Sequence, residues 1–236
     1  MAGSARAVVR PLLTLRSGKT SIFGHCEALV RHLQKDTEVL LKAGGPGTSE
    51  KLLRVIALAS ADLQKASGYL PGFGRIALRL DRYEAAVHST SPSSISGVIA
   101  RLLEAPVSAV GQSIVFRKDA DSSEMGRELA VLIRGEGDGL RSAEVRSVGD
   151  ASADRLLQAV QLAQRLLREG GDSRLRLGIC PQLGVSLSSS KLDSAELVSF
   201  ICPWGSVADV VPGLLPLRAR HHSRFYEETG TPIIAT

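Results

Sequence analysis

The stretch from Ala143 to Arg168, AEVRSVGDASADRLLQAVQLAQRLLR, has an echo upstream between Val39 and Gln64. Gly149 stands 104 positions after Gly45, and the same offset carries Leu52, Leu53, Ile56, Ala59 and Leu63 onto Leu156, Leu157, Val160, Ala163 and Leu167 without a gap. Their spacing of i, i+1, i+4, i+7 and i+11 lays one apolar stripe along one helix face in each copy. A chain patterned in this way is constrained to fold as two versions of one unit.

The correspondence extends beyond the helices. Leu13 and Leu15 recur as Ile114 and Phe116 at an offset of 101, and Ile22, Cys26, Leu29 and Val30 recur as Met125, Leu129, Leu132 and Ile133 at 103. Offsets change only in the connections, as a duplication under structural constraint requires. Each unit reads strand, helix, strand, helix, strand, strand. The first unit's strands are expected at Leu12 to Arg16, Thr37 to Ala43, Arg75 to Leu80 and Gly97 to Leu103. In the second, strands are expected from Ser113, from Ala143, over Arg174 to Cys180 and over Glu196 to Cys202. Thr20 or Ser21 can cap the first helix, and Asp121-x-x-Glu124 resembles a capping box for its counterpart. The length of 236 residues suits two domains of roughly 100 residues, each with a modest aliphatic core, since aromatic residues make up only 4%. The predicted organisation is a basic segment 1–10, units at 11–107 and 108–206, and an extended Pro-containing tail at 207–236.

The net charge of +5 favours an anionic partner. Three cysteines at wide spacings give neither a disulfide framework nor a metal-ligand series, so Cys26, Cys180 and Cys202 read as thiols and no metal or cofactor is expected. His221 and His222 are adjacent and would point to opposite sides of an extended chain. No run of about 18 apolar residues occurs, so no membrane span is expected. Ahead of Glu27 there is no acidic residue, whereas Arg6, Arg10, Arg16 and Lys19 stand among Ala, Ser and Val. That composition is transit-like and points to a mitochondrial location, with a cytoplasmic or nuclear one as the alternative. The glycine turns Gly44-Gly45-Pro46-Gly47 and Val148-Gly149-Asp150 match no phosphate-loop or dinucleotide spacing. No catalytic arrangement recurs in both copies, and a non-enzymatic role is expected.

The run from Val115, VFRKDADSSEMGRELAVLIRG, followed by AEVRSVGDASADRLLQAVQLAQRLL, resembles the stage V sporulation protein S family of small proteins with an Alba-like fold. Gly149 and the segment Gln158-Ala159-Val160-x-x-Ala163 stand where that family has a glycine-terminated strand and an A-x-x-Q-A-V-x-x-A helix. The resemblance implies an α+β fold of two βαβαββ units. It also implies relatives that bind DNA or RNA, commonly as dimers, so that two units in one chain would pair as an intramolecular pseudo-dimer. In the wider Alba group a lysine near the end of the first strand contacts the nucleic-acid backbone, and Lys19 and Lys118 occupy those junctions. The hairpins of the last two strands, expected to reach along a groove, carry only Arg82, His88 and Lys191 as basic residues.

The candidate nucleic-acid-binding residues are therefore Arg16, Lys19, Arg117 and Lys118 at the junctions, where a helix start also presents backbone amides to phosphate. Arg218, Arg220, His221, His222 and Arg224 join them in the tail, where basic residues beside Phe225 and Tyr226 suit phosphate contact with base stacking. Arg141 and Arg146 would extend a basic strip, with Glu144 beside them. Lys51, Arg54, Arg155, Arg165 and Arg168 on the second helices read as a solvated face. Together these features point to a non-catalytic binder of RNA, or alternatively DNA, within a ribonucleoprotein such as an organellar ribosome, where the tail contacts neighbouring proteins. The competing expectation is a duplicated scaffold acting as an accessory subunit of a mitochondrial protein complex without nucleic-acid binding.

Overall fold

A computed structural model describes residues 10–17, 21–66, 75–84, 94–102, 108–135, 140–170, 173–184 and 196–205. The chain runs β1 (Leu12–Arg16), α1 (Ile22–Lys35), β2 (Glu38–Gly44), α2 (Thr48–Ala66), β3 (Ile76–Glu84) and β4 (Ser94–Arg101). It continues with β5 (Ser108–Phe116), α3 (Ser122–Arg134), β6 (Ser142–Ser147), α4 (Asp150–Glu169), β7 (Leu177–Leu183) and β8 (Leu197–Pro203). The fold is mixed α/β, with four helices and one eight-stranded sheet of order β1-β2-β4-β3-β7-β8-β6-β5 among the described residues.

Read from either edge, the sheet has the same arrangement: a parallel pair, then an antiparallel hairpin. The halves meet where β3 pairs antiparallel with β7 through Leu78↔Ile179 and Arg79↔Gly178. Leu78 and Ile179 are also equivalent residues at an offset of 101, so a local two-fold axis passes through that pair. Strand alternation places the helices. Leu13, Leu15, Val39, Leu41, Leu78, Ile99, Ile114, Phe116, Val145, Ile179 and Ile201 lie on one face and are buried in a single core with the apolar stripes of all four helices. The core runs across both halves without interruption.

Among the described residues the other face carries no helix. Near its centre Ala77, Leu102 and Cys180 form a small buried cluster with Phe200 and Trp204. The Arg79 guanidinium lies 5.4 Å from the centre of the Trp204 ring, within the range of a cation–π contact.

Local sequence accounts for the element ends. Ser21 caps α1 through the Gly24 amide, and Asp121 caps α3 through the Ser123 amide at 2.8 Å. Gly45 and Gly149, related by the 104 offset, both have positive φ, +102° and +83°. At Gly45 a side chain would also collide with Ser17, since its Cβ would lie 2.7 Å from the Ser17 Cβ.

Two sequence expectations are revised. The third strand runs on to Glu84 instead of ending at Leu80, the fourth spans Ser94–Arg101 instead of starting at Gly97, and a bulge between Leu80 and Arg82 shifts the register. The bulge returns Tyr83 to the core face, and Arg82 belongs to β3 rather than to a loop. Arg54 is not on a solvated face. It is 5% exposed and paired with Glu50 at 2.7 Å, because α2 lies against β7 of the other half as well as its own strands.

Candidate nucleic-acid interface

Arg16 ends β1 and Arg117 directly follows β5, and both are exposed, as is Lys118 in the turn after it. Lys19, His88, Lys191, Arg218, Arg220, His221, His222 and Arg224 lie outside the described residues. Because β1 and β5 are the two edges of the sheet and run antiparallel to one another, the structure does not bring the two junctions together. They occupy diagonal corners, separated across seven strand spacings by about 34 Å.

The first corner is open and basic. On the helix-free face Thr14 pairs in register with Lys42 and Lys42 with Ser96, while in the next row Arg16 pairs with Gly44 and Gly44 with Ser94. These residues line a shallow cleft of about 630 Å³. Arg16 and Lys42 are exposed and have no ion-pair partner among the described residues. The first turn of α1 contains no acidic residue. Lys42, Ser94 and Ser96 were not singled out by sequence reasoning. The available signal was the alternation of β2 and β4, which puts Lys42 and the two serines on the face opposite the core.

The second corner is more acidic. Asp121 occupies the N-terminus of α3, and Glu124 lies in its first turn. Arg146, the residue expected to extend the basic strip, is held by Glu144 at 3.0 Å and by Glu196 at 3.8 Å.

Helix N-termini are a second kind of anion site, and the one at α2 is already filled. The Asp150 carboxylate, at the start of α4, accepts from the amides of Gly47 and Glu50, both at 3.0 Å. One turn further on, Asp154 accepts from the Ser49 hydroxyl and from the Tyr83 hydroxyl at 2.9 Å. Burial, reinforced by the Asp154 charge, pushes the Tyr83 phenol well above its usual range. Asp150 was read only as part of a turn. Its partners belong to the other unit and are invisible in a local pattern.

A larger cleft of about 870 Å³ lies between the outer part of β3, α3 and α4. Several of its polar groups are occupied internally. Ser122 donates to Gln158 at 2.8 Å, and Gln164 accepts from the Leu177 amide at 2.8 Å. Gln161, with its amide oriented to suit both partners, bonds the N–H and C=O of Tyr83 at 3.2 Å each. These glutamines take over where the short β3–β7 ladder ends.

Cys26, Cys180 and Cys202 are buried free thiols. Burial pushes Cys26 and Cys180 up to about 12 and Cys202 up to about 11, so none has the thiolate character of a nucleophile. Among the described residues no group of three or more His, Cys, Asp or Glu is placed to hold a metal ion, and no helix is long and apolar enough to cross a membrane. Comparison with protein-family models, with curated proteins and with solved structures gave no match.

Proposed function

We propose that the chain is a non-catalytic nucleic-acid-binding protein, with RNA favoured over DNA, built from two Alba-like units paired within one polypeptide and acting inside a ribonucleoprotein such as an organellar ribosome. The observation that carries this reading is the open corner of the helix-free face, where exposed Arg16 and Lys42 stand among hydroxyl side chains without a carboxylate partner among the described residues. Unpaired cations with hydroxyl donors at strand ends match the chemistry of phosphate oxygens, which account for most of the affinity in sequence-independent binding. The basic tail, from Arg218 to Arg224, supplies further charge in the same reading. The transit-like N-terminal composition supports a mitochondrial location.

A second reading, an accessory scaffold of a protein complex, is favoured by the second corner. There Arg146 is neutralised by two carboxylates, and Val115 and Val148 are more than half exposed. Sedimentation of the native protein separates the two. On the nucleic-acid reading it co-sediments with a large particle and is released by ribonuclease. Co-sedimentation that survives ribonuclease would favour the scaffold.

A further inference from the structure

The strand registers allow the two corners to be compared position by position. In the first unit the outer rows on the helix-free face read Thr14–Lys42–Ser96 and Arg16–Gly44–Ser94. Ala43 lies between Leu15 and Ile95, and Ser147 correspondingly pairs with Phe116 and Leu197, which fixes the alignment of the two sheets. The second unit's paired row is then Val115–Arg146–Val198, and one residue beyond the paired register Arg117, Val148 and Glu196 take the places of Arg16, Gly44 and Ser94. Every hydroxyl of the first corner has become valine or glutamate, and Gly44, the middle residue of the outer row, has become Val148. Leu40, inward of Lys42, has become Glu144, which together with Glu196 holds Arg146. Arg82 and Glu84 flank the first corner opposite Ser96 and Ser94, but they pair with one another and leave that flank neutral.

We infer that the two units are functionally unequal: the corner framed by Lys42, Arg16, Thr14, Ser94 and Ser96 is a phosphate-binding site, and its counterpart around Arg146 is closed to phosphate. A phosphate at the first corner meets two cations for charge-assisted hydrogen bonds and three hydroxyl donors for its remaining oxygens. At the second, an incoming phosphate would face two carboxylates and lose water against valines that return no hydrogen bond. The inference rests on the nucleic-acid reading and names its point of contact, a single phosphodiester of a single-stranded RNA. A free phosphate presents the same chemistry.

The test uses the full chain, a labelled oligouridylate and inorganic phosphate at low salt. Lys42→Gln with Arg16→Gln is expected to weaken oligouridylate binding at least tenfold, because a hydrogen bond to a charged group is worth roughly that factor. The circular-dichroism melt should be unchanged. Arg146→Gln, at the position equivalent to Lys42, is expected to change binding by less than about twofold, as for an ion pair at the surface. Grafting the first corner onto the second with Glu144→Leu, Glu196→Ser and Val198→Ser should raise the number of bound phosphates from one to two. If oligouridylate binds but Lys42→Gln with Arg16→Gln leaves it unaffected, or if Arg146→Gln weakens it as much, the inference is overturned while the nucleic-acid reading stands. Phosphate bound at this corner without oligouridylate would support the site and remove the nucleic-acid reading. Binding of neither would remove both.

Discussion

The Asp150 carboxylate accepts from the Glu50 amide in the first turn of α2 and from the Gly47 amide just ahead of it, so it acts as a helix cap supplied from the other half of the molecule. Asp150→Ala is expected to cost about 0.5–2 kcal/mol, the usual range for loss of a cap, as a drop in urea midpoint. Asp150→Asn should recover part of it. The thiols give a pH dependence of definite sign. Cys26, Cys180 and Cys202 hold their protons to higher pH in the folded chain than their ordinary value of 9.0. Above pH 9 the unfolded chain releases protons that the folded chain retains, so stability is full below pH 9 and falls as pH rises from 9 through 11 and 12. Urea midpoints at pH 8, 9 and 10 should decline, and the decline should be shallower in Cys180→Ala. A midpoint that rises over this range would show that the thiols are not buried as described.

Helix packing sets the next scale. Leu157, on the α4 stripe, is fully buried, and Leu157→Ala is expected to cost about 2–5 kcal/mol in a denaturant melt. A loss under about 0.5 kcal/mol would place Leu157 at the surface. Gly126 lets α3 approach α4 closely, since a Cβ there would lie 2.9 Å from Leu162 Cδ2 and 3.0 Å from the Ala159 carbonyl oxygen. Gly126→Ala should therefore destabilise by about 1–3 kcal/mol through overpacking, even though alanine favours a helix. Elements of this kind are legible in sequence where one face is buried and the other is wet. The stripes of α2 and α4, the caps Ser21 and Asp121, and the glycine turns all follow that rule. Legibility fails where the two units touch. β3 buries Ala77 as well as Ile76 and Leu78, which hides the alternation and its true length. Arg54 is a residue type usually found at the surface, yet it is 5% exposed and paired with Glu50 on its own helix. Asp150 and Asp154 carry no local mark of partners a hundred residues away. The proposed anion site is half legible in the sequence: Arg16 stands at a recognisable strand end, whereas Lys42, Ser94 and Ser96 join it only through the register of β1, β2 and β4.

At the scale of the whole molecule, one sheet with a two-fold axis at Leu78 and Ile179 carries two diagonal corners whose edge strands lie about 34 Å apart across the sheet. The corners share a backbone and differ in side chains. A ligand that needed both would face a basic and a neutralised end, so a chain of this construction is expected to grip nucleic acid at one corner. The most direct measurement is the salt dependence of single-stranded RNA binding by the full chain and by its Arg16→Ala, Lys42→Ala variant. Each phosphate contact contributes about −0.7 to the slope of log affinity against log salt. Because both cations hold one phosphodiester, the double substitution should flatten the slope by about 0.7, leaving whatever the tail and the remaining cations contribute. A slope identical in the two proteins would contradict a grip on RNA phosphate at this corner, and no RNA binding by the unmodified chain at low salt would contradict the nucleic-acid reading itself.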